Sequence, residues 1–268
     1  MSTDIFTQNG KFLMLAFDHR GSFKKSLKTE DPKVLISAKK DIIDASFDHI
    51  SSLLIDQDYG FPAYSQLNYE KPKPFVMPME ESGYEDVGGE RLTTLKYTAK
   101  EIKKSGAAGT ILLVYFSLES ETAQKQIETT KKAVQDSQET GLPMFLEIVT
   151  YGKGEGKVAE SLQVFLDNGI KPDVYKLEYP GSGEEAKRVT ELLQPLDIPW
   201  ILLTRGAEYE KFKDQLETCV EAGCVGFLAG RGVWQEYLDL LDKPEEKEKF
   251  LKETIPQRFE EIKRIVIT

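Results

Sequence analysis

A lysine in the middle of an apolar run is the residue in this chain with the clearest chemical potential. Lys176 stands in DVYKLEY (173–179). Alternation along a strand puts Lys176 and Glu178 on one face with Val174, and Tyr175 and Leu177 on the other. If the first face turns inward, burial and neighbouring cations disfavour the ammonium form. A neutral amine is a nucleophile towards ketones and aldehydes. Read more plainly, the same lysine is half of a structural ion pair with Glu178 or Asp173, or a side chain lying between helices. The pattern alone leaves both readings open. Glu147, inside FLEIVTY (145–151), is its natural companion. A carboxylate beside such an amine moves protons as a general acid/base, and it serves equally well as a buried partner.

Further carboxylates end apolar runs at Asp18, Asp56 and Glu80. Asp18 and Asp56 are candidates to orient substrate hydroxyls or to hold a cation. An aspartate at a strand end is also a common loop cap. Oxygen ligands alone would suit Mg2+. The only histidines are His19 and His49, which argues against a zinc site built on imidazoles. The expectation is therefore no metal and no cofactor. Two glycine–arginine segments, LLTRGAEYEKF (202–212) and FLAGRGVWQEY (227–237), follow the last two apolar runs. Gly206 and Gly230 let the backbone approach an anion closely. Arg231 adds charge-assisted donors, and Arg205 is a second candidate for the same task.

The elements that must carry these residues recur along the chain. Apolar runs lie at 12–19, 51–59, 73–80, 109–116, 144–151, 173–179, 199–204 and 225–230. Charged amphipathic stretches separate them. Asp31-Pro32 opens the first helix with an N-cap and an N1 proline. Further helices are expected over 92–105, ending at Gly106, and over 122–140, ending at Gly141. A stripe of Val158, Leu162, Phe165 and Leu166 closes at Gly169, and two more helices fall over 186–193 and 212–222. The link 61–72 is rich in proline and tyrosine and gives no clear helix signal. Strand-then-helix repetition means parallel strands with crossover helices. Continuous apolar runs mean strands covered on both faces. The expected fold class is α/β, a (β/α)8 TIM barrel, as one domain over residues 1–268. An open doubly wound sheet is the rival, weakened by the lack of a G-x-G-x-x-G after the first strand. In such a barrel the C-terminal strand ends build the active site, and the loops after strands seven and eight bind phosphate.

Composition narrows the function classes. The 268 residues are 40% hydrophobic and 30% charged, with a net charge of -10. That charge argues against nucleic acid or an anionic membrane as partner. Cys219 and Cys224 show no pairing pattern, as in a reducing compartment. Residues 1–10 lack a signal-peptide pattern, and no run approaches the roughly 20 apolar residues of a membrane span. A cytoplasmic protein with a small-molecule partner is expected. Assembly into a homo-oligomer stays open.

Taken together, seven segments resemble the class I tagatose-1,6-bisphosphate aldolase family and the related sulfofructosephosphate aldolases. They are FDHRGSFKK (17–25), LLIDQDYG (53–60), MEESGYED (79–86), KYTAKEIKKSGAAGTILLVYF (96–116), FLEIVTYG (145–152), DVYKLEYPG (173–181) and GFLAGRGVW (226–234). The resemblance implies a (β/α)8 barrel and cleavage of a phosphorylated ketose, through an iminium on Lys176, to dihydroxyacetone phosphate and an aldehyde. It implies the acid/base at Glu147, the strand-one aspartate and arginine at Asp18 and Arg20, and the phosphate arginine at Arg231. Three positions depart from the family pattern. His19 replaces a glutamine, Ile111 replaces a strand-four lysine, and Arg205 stands where a small residue is usual. These leave the substrate open. The D-H-R-G-S-F wording also resembles aldolase-like domains that act on 2-deoxy-5-keto-gluconate 6-phosphate. A sugar-phosphate-binding regulator without catalysis is the remaining alternative.

Overall fold

A computed structural model describes residues 1–267. Eight parallel strands form a closed ring: β1 (Lys11–Phe17), β2 (Ser52–Ile55), β3 (Phe75–Pro78), β4 (Gly109–Phe116), β5 (Met144–Thr150), β6 (Val174–Leu177), β7 (Trp200–Leu203) and β8 (Gly226–Ala229). Each pairs with its sequence neighbour, and β8 pairs with β1 to close the barrel. Closure excludes the open-sheet rival. The apolar runs become strands because both their faces are covered. Their inward side chains form a core of Phe12, Met14, Ala16, Leu54, Val76, Ile111, Phe145, Val174, Ile201 and Leu228, joined by Phe6 from the turn before β1. The outward ones, such as Tyr175 and Leu177, pack under the helices.

The barrel floor is sealed from the N-terminal side. Phe6 is fully buried and meets Phe145 edge-on at 5.3 Å. The hydroxyls of Ser51 and Ser52 both donate to its carbonyl, at 2.6 and 2.9 Å. Gly226 is required where β8 crosses the start of β1, because a Cβ there would run into the Phe12 carbonyl.

Local signals set the helix ends. Asp31 accepts a hydrogen bond from the Lys33 N–H at 2.9 Å and starts the Pro32–Ser46 helix. Gly141, with φ of 73°, stops the Ala123–Thr140 helix in the left-handed conformation that glycine tolerates. The Ile255–Ile267 helix buries Ile255, Phe259, Ile262 and Val266 and closes the outer ring against the Tyr209–Glu221 and Pro32–Ser46 helices.

Two connections differ from expectation. The link after β2 contains a short helix, Gly60–Ser65. The stretch 92–105 is helical only over Ala99–Lys104, started by a Thr98–Glu101 capping box. Upstream, Glu85–Val87 and Glu90–Leu92 form an antiparallel hairpin. Gly88 and Gly89 turn it with φ of 64° and 88°, the signature of a tight two-residue loop. Lys96 therefore lies outside any helix and pairs with Glu81 at 3.0 Å.

Candidate active site

A cavity of about 610 Å³ opens at the C-terminal ends of the strands. Its size lies in the ordinary range for small-molecule sites, roughly 300–1,000 Å³. Lys176, Glu147, Asp18, Arg20, Arg205, Gly206, Gly230 and Arg231 line it. Asp56 does not.

Two ladder partners occupy the centre. Glu147 on β5 is in register with Lys176 on β6. Lys176 Nζ donates to Glu147 Oε2 at 2.6 Å, and the two residues are 4% and 8% exposed. Lys176 faces inward because Val174, two residues earlier, belongs to the interior core. Its nearest charged neighbour is the Glu147 carboxylate, the companion that the sequence offered. The alternative partners named from sequence, Asp173 and Glu178, are engaged elsewhere. Asp173 accepts from the Met144 N–H at 2.9 Å. Glu178 accepts from the Thr150 N–H at 2.9 Å and pairs with Arg205.

Protonation differs among the carboxyls. Burial raises the Glu147 pKa, and Asp18 adds to the rise while Lys176 opposes it. Burial also opposes ionisation of Asp18, but His19, Lys176, Arg20 and Lys39 outweigh it and hold Asp18 below the ordinary aspartate range. Glu80 is pushed up to about 8, by burial first and Asp18 second, against the pull of Arg20. Its Oε2 accepts from the Leu113 N–H at 3.2 Å. Near neutral pH, Asp18 is thus an anion and Glu80 a neutral acid in one cavity. Burial lowers His19 to about 4, so its ring is neutral there; Asp18 opposes that shift. His19 Nδ1 has no hydrogen-bond partner, and the ring lies edge-on to Trp234 at 5.2 Å.

The loops after β7 and β8 meet at an arginine. A Cβ on Gly206 would sit 3.0 Å from an Arg231 guanidinium nitrogen, and the Gly206 φ of 74° also favours glycine. Arg231 has no carboxylate within 4.0 Å among the described residues. Arg205 is different. It donates to the Thr150 carbonyl at 2.8 Å and pairs with Glu178 and Glu155. These contacts tie β5, β6 and β7 together at φ of 45° for a non-glycine residue. The guanidinium expected to take an anion is committed within the protein.

Asp56 is a second correction. It is wholly buried, pairs with Lys39 at 2.6 Å, and accepts from the N–H groups of Asp58, Tyr59 and Gly60. It shapes the β2 connection, which is the capping alternative named from sequence. Arg20 lines the cavity but donates to the Glu80 carbonyl at 3.1 Å. Ile111 lies in the interior core beneath the cavity, and Leu113, two residues on, reaches the lining.

Sequence reasoning missed Arg91 and Tyr115, which also line the cavity. Arg91 sits on the hairpin after β3, and the Gly88-Gly89 pair was the available signal for that turn. Among the described residues no group of three or more His, Cys, Asp or Glu side chains is set to hold a metal ion. No described helix is long and apolar enough to cross a membrane.

A closed α/β barrel with an inward lysine–glutamate pair at the mouth is a class of molecule suited to carbonyl chemistry on a small substrate. Comparison with known proteins narrows that class. Residues 12–236 match the model of the DeoC/LacD family aldolases. The chain is 27% identical over 267 aligned positions to tagatose 1,6-diphosphate aldolase 1 of Streptococcus mutans, covering 85% of this chain and 82% of that one. It is 25% identical to the tagatose 1,6-diphosphate aldolase of Lactococcus lactis, covering 97% and 92%. Among solved structures, a Schiff base-forming fructose-1,6-bisphosphate aldolase superposes with a TM-score of 0.66 at 20% identity over 93% of this chain and 95% of that one. Fructose-bisphosphate aldolase from Plasmodium falciparum gives 0.72 at 14% identity, over 98% and 92%. The chain belongs to the DeoC/LacD aldolase family, and it is a carbon–carbon lyase.

Proposed function

We propose that this chain is a cytoplasmic class I aldolase that cleaves a phosphorylated ketose of the tagatose-1,6-bisphosphate type, using Lys176 as the Schiff-base residue. The observation that carries this reading is the 2.6 Å Lys176–Glu147 contact, inside a cavity that also holds Asp18 and Arg231.

The Lys176 amine, freed of a proton taken by Glu147, attacks the C2 carbonyl. The raised pKa of Glu147 fits it to accept that proton and return it. Protonation of the carbinolamine hydroxyl expels water and leaves the iminium. Removal of the C4 hydroxyl proton by Glu147 then breaks the C3–C4 bond. Its electrons flow into the iminium to give an enamine, and the aldehyde departs. Protonation at C3 and hydrolysis release dihydroxyacetone phosphate and restore the amine. Asp18, held ionised, accepts hydrogen bonds from substrate hydroxyls. Arg231, with the glycine backbone at 206 and 230, holds the phosphate next to the ketone.

The test is reductive trapping. Borohydride added with dihydroxyacetone phosphate is expected to leave a covalent adduct on Lys176, found by peptide mass mapping. An intact protein without adduct, or an adduct on another lysine, rejects the assignment.

A further inference from the structure

One buried charge takes no part in the chemistry described so far. Lys39 lies in the middle of the Pro32–Ser46 helix and is fully buried. Its ammonium reaches past the helix to the ends of two strands. Nζ donates to the Phe17 carbonyl at the end of β1 and to Asp56, just past β2, both at 2.6 Å. The rings of Phe17 and Phe23 wall it in, with centroids 4.5 and 5.3 Å away. Asp56 is equally dry. Such a pair is a poor device for stability alone. Each ion loses its hydration, and apolar side chains of similar size often serve a fold as well or better.

What the ammonium holds is the main chain under Asp18. The last two carbonyls before Asp18 are both taken by side chains from outside the strand. Trp234 Nε1–H donates to that of Ala16 at 3.4 Å, and Lys39 takes that of Phe17. The Asp18 carboxylate has no such tether. It accepts no hydrogen bond from the described residues, and His19 Nδ1, at 3.9 Å, is too far to give one. Carboxylate oxygens left free for a substrate must be aimed by the backbone beneath them. Through Asp56 the same ammonium is tied to the N–H groups of Asp58, Tyr59 and Gly60. The ends of β1 and β2 are thereby locked to each other.

We infer that Lys39 is a positioning residue for cleavage: with Asp56 as its counter-ion, it clamps the end of β1 and so aims the Asp18 carboxylate at the substrate hydroxyls. The inference rests on the aldolase reading above and adds to that site a residue that touches no substrate. Burial works against the Lys39 charge, and Asp56, ahead of Asp18, works for it. Charge also adds to position. Asp18 is faced by the cations Lys176 on β6, Arg20 on its own loop and Lys39 beneath, with the neutral His19 ring beside it. The carboxyls of Glu80, after β3, and Glu147, on β5, feel Asp18 from the other elements. Removing Lys39 takes one cation away and raises the pH at which Asp18 gains a proton.

The experiment replaces the whole clamp with uncharged groups. Lys39→Met alone would strand a buried Asp56 carboxylate, so K39M/D56N is used, by itself and in a D18N background. Cleavage of tagatose 1,6-bisphosphate, its pH dependence and Tm are measured. K39M/D56N is expected to fold, with Tm within about 5 °C of the wild type. It is expected to lose about 100-fold in kcat/KM, the scale of a misplacement of roughly 1 Å. Two readouts separate aiming from support of the fold. The acid limb of the pH profile should move up by about half a unit. In the D18N background the same two substitutions should cost less than about 3-fold, because the residue they act through is already gone. Equal losses in both backgrounds, an acid limb that stays in place, or full activity in K39M/D56N overturns the inference. So does a K39M/D56N protein that cannot fold, since the pair then serves stability. Borohydride trapping with dihydroxyacetone phosphate is run alongside on the wild type. Trapping on Lys176 with cleavage indifferent to the clamp sinks this inference alone, whereas failure of trapping sinks the aldolase reading beneath it.

Discussion

The lower and upper halves of the barrel interior are made by the same strands, yet they share almost no chemistry. Below, Met14, Ile111, Phe145 and Val174 meet in a dry apolar core closed by Phe6. Above, two to four residues further along those strands, come Asp18, Tyr115, Glu147 and Lys176 around an open cavity. The two-residue period of a strand makes the transition abrupt. The lower layer supplies the hydrophobic stabilisation that lets the upper one hold buried charges, which cost stability unless they are paired. The division teaches that stability and chemistry are separable within one set of strands.

The largest effects should separate the halves. Lys176→Met is expected to lower cleavage by at least about 10³-fold, because the nucleophile is gone. Stability should hold to within about 2 kcal/mol, since Glu147 can take up a proton once its partner is removed. Phe145→Ala, one layer down and two residues before Glu147, should do the reverse. It opens a cavity against Phe6 and Phe12 and should cost about 3–5 kcal/mol. The fraction that stays folded should still form the borohydride adduct. Denaturant midpoints and trapping yields on both variants check this. A Phe145→Ala protein that is stable but cannot be trapped would break the division.

Much of this arrangement was legible in the sequence, for physical reasons. A strand covered on both faces must read as an apolar run, so the eight strands were visible. A lysine or glutamate inside such a run has nowhere to go but the interior or the helix interface, so Lys176 and Glu147 stood out. The partner of a charge was not legible when it lay on another element. Asp56 looks like Asp18 from sequence, each closing a strand. Only the fold brings Lys39, in the middle of a helix, to within 2.6 Å of Asp56. Arg205 likewise reads as an anion ligand until Glu178 is placed beside it. The Arg91 hairpin was hidden because the charged residues over 92–105 fit a helical pattern, although helix begins only at Ala99.

A smaller effect sharpens the description of the upper half. Glu80 keeps a proton up to about pH 8, against 4.5 for a free glutamate. The unfolded chain releases that proton near 4.5. The stability Glu80 contributes is therefore full below pH 4.5, drains away as the pH climbs, and is gone above about 8. Asp18, whose pKa is lowered, acts in the other direction and only in acid, where protonation removes its contribution. Wild-type stability should fall by something on the order of 3 kcal/mol between pH 5 and 8 from Glu80 alone. Glu80→Gln, a neutral mimic of the protonated acid, should make the slope shallower. It should not abolish it, because burial raises Glu147 and Glu178 as well. Chemical denaturation at several pH values, on both proteins, gives the comparison. An identical slope would mean that Glu80 is ionised in the folded state.

The smallest effect concerns which charges at the mouth serve the fold. Arg205 and Arg231 lie on neighbouring loops and look alike in sequence, but Arg205 is engaged with Glu178, Glu155 and the Thr150 carbonyl. Arg205→Gln should remove an ion pair whose carboxylate is 2% exposed. Glu178 can answer by keeping a proton, since burial already raises its pKa. Arg205 itself is 35% exposed, so water takes over part of its role. The expected cost is about 1 kcal/mol of stability. Affinity for dihydroxyacetone phosphate should change less than in Arg231→Gln, where an uncommitted guanidinium is lost. Ligand-induced shifts in Tm on the two variants measure both quantities at once. If Arg205→Gln weakens the ligand as much as Arg231→Gln does, the Glu178 pair is not what holds that guanidinium in solution, and Arg205 belongs with the anion-binding groups.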